Sequence, residues 1–77
     1  MPIAIDKWSA VLSKRTASET GWRGSEIYSW IVAARVHSTQ ATVKRALQLH
    51  IDLRRHGESF QETRKRLGEI AIGLEGG

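Results

Sequence analysis

Residues 33–47 read Ala33-Ala34-Arg35-Val36-His37-Ser38-Thr39-Gln40-Ala41-Thr42-Val43-Lys44-Arg45-Ala46-Leu47. Two helix-forming runs meet here around a short polar break. Upstream, Ile27, Trp30, Ile31 and Ala34 recur at spacings of three and four, as one face of a helix requires. Ser25 is a good N-cap and Glu26 sets a carboxylate in the first turn, so the spacing predicts a helix over 25–35. Downstream, Val43, Ala46, Leu47, His50 and Ile51 repeat the pattern, with Ser38 and Thr39 placed to cap it. A helix is expected over 39–56, closed by Gly57 in the left-handed C-cap position. Arg54, Arg55 and His56 in the last turn would complement the helix dipole.

Outward from this pair, the glycines cluster at 21, 24, 57, 68, 73, 76 and 77, and the single proline is Pro2, so the middle of the chain is unpunctuated. Ile5, Trp8, Val11 and Leu12 recur helically after Asp6, predicting a helix over 6–17. Residues 18–24 read as a loop whose Trp22 folds back onto the core. Ser59 and Glu62 have the spacing of a capping box, so another helix is expected from Phe60 to about residue 72, weakened at Gly68. The tail over 73–77 is expected to fray. The expectation is one all-α domain over 1–77 with four helices and a core of Trp8, Leu12, Trp30, Ile31, Val43, Leu47, Phe60 and Leu67.

At 77 residues one core is only marginally stabilising, and with no cysteine the chain has neither disulfides nor thiolate metal sites to help. Zinc fingers and secreted disulfide scaffolds are excluded. No apolar run approaches the roughly 20 residues of a membrane span, and Asp6, Lys7 and Lys14 interrupt any signal-like segment, so a soluble, cytoplasmic protein without membrane attachment is expected. The net charge is +4 and the pI about 10.1, which favours an anionic partner. Between Arg35 and Arg66 eight basic residues face three acidic ones, a local +5, so the excess charge sits around the helix pair.

At about 100° per residue, Lys44, Arg45, Gln48, Asp52 and Arg55 share one sector of the third helix, while Val43, Ala46, Leu47 and Leu53 lie opposite. One side packs and the other is free. Gln40 and Gln48 suit bidentate pairing with adenine in a major groove, and Lys44 or Arg45 can donate to guanine or phosphate. Thr39 and the N–H groups at the helix start suit a phosphate, and Thr42 is expected among the DNA-binding residues.

This stretch resembles the helix-turn-helix of bacterial and phage DNA-binding regulators, over about residues 29–48. The second helix of that family often begins with a Ser-Gln-Ala-Thr-Val-x-Arg-Ala-Leu type string. The resemblance places Ala33 where the two helices nearly touch, Val32, Val36, Val43 and Ala46 at the positions packing the pair, and Thr39, Gln40, Lys44, Arg45 and Gln48 toward the groove. His37 falls where the family most often has a glycine of positive φ. A helix-turn-helix over about 26–56 is implied, with double-stranded DNA as partner, a role in transcription regulation or as a nucleoprotein accessory factor of phage or plasmid type, and binding as a homodimer to two half-sites. Residues 54–68 resemble the opening half of a second such motif; Arg64, Lys65 and Arg66 are read there as a secondary basic face.

Catalysis is not expected: an enzyme needs a nucleophile and base, a carboxylate pair or metal ligands gathered in a pocket, and a four-helix chain of this length has little volume to bury one. The three histidines, His37, His50 and His56, have no metal-ligand spacing, no phosphate-cradling glycine loop precedes a helix, and no cofactor is implied. His50 reads as a satisfied helix residue rather than a ligand. The alternative reading is a small helical inhibitor or adaptor whose basic face meets an acidic protein partner. Such a module would depend on exposed apolar residues such as Trp22 or Ile51.

Overall fold

The computed structural model describes residues 7–76, with side chains through Gly68. It is all-α, with helices α1 (Lys7–Thr20), α2 (Gly24–Arg35), α3 (Gln40–Leu53) and α4 (Phe60–Gly76). The apolar run at Ile5 and the carboxylate of Asp6 lie outside the described residues. Helix α2 is central, packing against each of the other three.

The α1–α2 hairpin turns in three residues. Thr20 ends α1 three residues later than the predicted 17, because Gly21 adopts φ 78° and donates its N–H to Ala17 O at 2.8 Å, a left-handed C-cap. The Thr20 hydroxyl donates to Thr16 O at 2.7 Å and accepts from the Trp22 N–H at 3.1 Å, so the local polar groups are used within the turn. Helix α2 then begins at Gly24, with Arg23 rather than Ser25 as the residue before it and no side-chain cap.

The inner face of α1 is built from Ser9, Ser13 and Thr16, all buried, while Val11 is 53% exposed and Trp8 and Leu12 are only half-buried at the edge of the core. The expected Trp8–Val11–Leu12 stripe therefore faces partly outward. At the hairpin end of this face Gly24 lies against Ala17, where an added Cβ would meet the Ala17 methyl at 3.8 Å, an ordinary van der Waals contact. The hydroxyls stay satisfied, Ser13 by Ala10 O at 2.9 Å and Ser9 by an Arg35 guanidinium N–H at 3.3 Å.

The core joins Trp22, Ile27, Ile31, Val43, Leu47 and Phe60, with Trp30, Ala34 and Ile51 packed around it, and Leu67 is buried in α4. Each fully buried aliphatic side chain here contributes about 1.5–3 kcal/mol of transfer free energy. Trp22 folds back as expected; its ring lies 5.1 Å from that of Phe60, and its Nε1–H donates to Glu58 O at 2.8 Å. His50 is a satisfied core residue. Its Nδ1 lies 2.7 Å from Ala46 O, and because a carbonyl only accepts, Nδ1 carries the proton; its ring packs edge-on to Trp30.

Helix α3 stops at Leu53, three residues before the predicted end. The guanidinium of Arg54 donates to Ile51 O and that of Arg66 to Leu53 O, which satisfies carbonyls that further helical turns would have used. Gly57 does take positive φ (80°), but inside a turn in which Glu58 N–H donates to Arg55 O at 3.0 Å. With a positive φ at the third position only, this is a type II turn. The capping box forms as read: Glu62 N–H donates to Ser59 Oγ at 3.1 Å, and Ser59 N–H to Glu62 Oε1 at 3.2 Å. Helix α4 continues to Gly76 rather than ending near residue 72; Gly77 lies outside the described residues.

Candidate nucleic-acid interface

Helix α3 positions most of the candidate residues. Its N-cap is Thr39, whose Oγ1 accepts from the Thr42 N–H at 3.2 Å and donates to Thr42 Oγ1 at 2.9 Å. Both hydroxyls therefore serve the helix start first, which lessens their freedom to bind a phosphate. Val43, Leu47 and His50 point inward, and Gln40, Thr42, Lys44, Arg45 and Gln48 are all exposed on the other sides. Lys44 and Arg45 make no hydrogen bond or ion pair among the described residues and keep their full donor capacity. Gln48 donates through Nε2 to Asp52 Oδ1 at 2.9 Å, which orients its carboxamide along the helix and brings one negative charge onto this face.

Other expected residues are placed differently. Arg55 is exposed but lies beyond the C-cap Arg54, so it leaves the α3 face on which the periodicity put it. Leu53, expected on the packed side, is 43% exposed. In the basic triplet of α4, Arg64 and Lys65 are exposed, with the Arg64 guanidinium 5.6 Å from the Phe60 ring. Arg66 is committed elsewhere. It grips Glu58 with two contacts, Nε to Oε2 at 2.8 Å and Nη2 to Oε1 at 2.9 Å. Glu58 also accepts from the Arg55 N–H at 3.1 Å and the Thr63 hydroxyl at 2.8 Å. The Arg66 hydrogen bonds above all, with those from Arg55 and Thr63, hold the Glu58 carboxyl down at about 2, and Glu58 in turn raises Arg66. Arg66 is a structural clamp, and the secondary basic face reduces to Arg64 and Lys65.

The corner between α2 and α3 departs from the resemblance. Val36 N–H donates to Ala33 O at 3.3 Å and His37 N–H to Ala34 O at 3.1 Å, so α2 tightens and ends right-handed. No described residue other than glycine has positive φ, His37 included. Val36 is 72% and Val32 40% exposed, and Ala33 is exposed too. The α2–α3 contact is instead built on Ile27, Ile31, Val43 and Leu47. Residues 36–39 are all exposed.

Sequence reading missed the part of the site that depends on tertiary packing. Lys7 and Arg15, which no sequence pattern links to α3, line a cleft of about 400 Å³ together with Lys44. Among the described residues no group of three or more His, Cys, Asp or Glu side chains gathers as metal ligands, and no helix is long and apolar enough to cross a membrane. No protein-family model matches the chain, and no match emerges among curated proteins or solved structures.

Proposed function

We propose that the chain is a small, non-catalytic, sequence-specific double-stranded-DNA-binding domain that presents the outer face of α3 to the major groove. One observation carries this reading: opposite a fully packed side of Val43, Leu47 and His50, the helix leaves Lys44 and Arg45 exposed and unengaged beside Gln40 and Gln48. The cations can meet phosphates or guanine, and the carboxamides can read adenine. Gln48 would exchange its bond to Asp52 for one to a base edge. The Asp52 carboxylate opposes phosphate, which sets a directional bias: the N-terminal half of α3 is the half that enters the groove. A domain of this size gains affinity by binding as a homodimer to paired half-sites, in the role of a regulator or nucleoprotein accessory factor.

A second reading, a helical module docking on a protein, is favoured by Val32 and Val36, exposed valines four residues apart in the last turn and C-cap of α2. Trp22 and Ile51 do not serve it, since Trp22 is buried and Ile51 packs against the core.

Selection of bound duplexes from a random pool at about 0.15 M salt, where purely electrostatic binding is weakened, tests the proposal. The expected result is an enriched motif, palindromic for a dimer, that disappears with Gln40→Ala plus Lys44→Ala. Absence of enrichment by folded protein overturns it. Loss of a captured protein partner in Val32→Ser plus Val36→Ser would then support the second reading.

A further inference from the structure

We infer that the cleft between α1 and α3 seats the sugar–phosphate backbone beside the groove, so that Lys7 and Arg15 belong to the DNA interface together with Lys44; the inference rests on the DNA reading above. The cleft holds about 400 Å³ and is lined by Lys7, Trp8, Val11, Leu12, Arg15 and Lys44. Lys7, Val11 and Arg15 recur at intervals of four on α1 and are all exposed, whereas Trp8 and Leu12 are half-buried and form an apolar floor.

The charge is one-sided. Three cations surround the cleft, no carboxylate among the described residues lines it, and none of the three cations makes a hydrogen bond or ion pair among those residues. Like charges gathered around one concavity repel, and an anion placed between them relieves that repulsion. An apolar floor under a cationic rim matches a deoxyribose with its phosphates, which offers an apolar ring face and anionic oxygens in alternation. The floor is braced: the Arg35 guanidinium lies 5.1 Å from the Trp8 ring and donates to Ser9, holding the indole against the α1–α2 pair.

Continuity identifies the occupant. Lys44 belongs both to this cleft and to the α3 face that carries Arg45 and Gln48, so a duplex read by α3 brings its flanking strand to Lys44 and then to Lys7 and Arg15. Lys14 provides an internal contrast, since it is exposed on the same helix but does not line the cleft.

The test measures affinity for the selected duplex from about 0.05 to 0.3 M salt with wild type, Lys7→Gln plus Arg15→Gln, and Lys14→Gln. All three substituted residues are exposed, and a thermal melt confirms that each variant folds. The double variant is expected to lose about tenfold or more in affinity and to flatten the log–log salt dependence by about one to two units, while retaining the same preferred sequence. Lys14→Gln is expected to change affinity by no more than about twofold. A double variant that binds the selected duplex like wild type, or like Lys14→Gln, overturns the cleft assignment alone. A wild type that binds no duplex at the lowest salt overturns the DNA reading and this inference with it.

Discussion

The indole N–H of Trp22 donates to the main-chain carbonyl of Glu58 at 2.8 Å, tying together two loops 36 positions apart in the chain. The same ring packs on Phe60 and lies 6.0 Å from the Arg54 guanidinium. Trp22→Phe keeps most of the apolar surface but leaves that carbonyl short of a donor. A loss of about 1–2 kcal/mol in urea unfolding is expected. At this chain length that corresponds to a fall in Tm of very roughly 4–15 °C. An unchanged midpoint would show that the bond contributes nothing to the closure.

Glu58 sets a pH dependence. Its carboxyl is held at about 2 in the folded chain, against an ordinary value of 4.5, so the unfolded state binds more protons between those values. The stabilisation it brings is complete above about pH 5 and declines as pH falls toward 2. Thermal melts across that range should show wild type losing its advantage over Glu58→Gln progressively on acidification. Parallel curves for the two proteins would contradict the clamp.

Two glycines should respond with opposite signs. Gly57 sits at φ 80° with nothing within 4 Å of an added Cβ, so Gly57→Ala meets backbone strain alone and should destabilise by about 1–2 kcal/mol. Gly68 lies inside α4, again with open space around it and without a positive φ. Gly68→Ala should stabilise by about 0.5–1 kcal/mol through helix propensity. Denaturant midpoints of the pair measure both.

The basic triplet should divide in function. Arg66→Ala removes the partner of a shielded carboxylate and a donor to Leu53 O, so a lower Tm is expected; Lys65→Ala should leave the melt unchanged. On the proposed DNA reading the order reverses for binding, Lys65 rather than Arg66 being the one expected to alter the salt dependence. A Tm loss equal in both variants would deny Arg66 its separate role.

What could be read in the sequence was what neighbours in the chain decide. The Ser59–Glu62 box and the Thr39 cap are local and form as expected, and the exposed face of α3 keeps Lys44, Arg45 and Gln48 but loses Arg55 beyond the C-cap. The positive φ of Gly57 was legible, but the end of α3 was not, because it depends on Arg66 arriving from α4. The inner face of α1 defied hydrophobic periodicity: Ser9, Ser13 and Thr16 go inside since they are small, with the Ser9 and Ser13 hydroxyls hydrogen-bonded, and the larger Val11 is left outside. His37 was placed by likeness to a glycine position, and a right-handed corner made that likeness locally untrue. The α1 contribution to the candidate interface arises only when Lys7 and Arg15 are folded up against Lys44.

The Trp22–Glu58 bond makes the two ends of the molecule unequal. One end has its loops laced together, whereas the corner at residues 36–39 is solvent-facing and closed by two short-range main-chain bonds. Amide protons there are expected to exchange faster than those of the Trp22–Glu58 end, and a new peptide inserted between His37 and Ser38 should leave the fold intact. The chain thus carries its own splice point, set beside the helix that is proposed to read DNA.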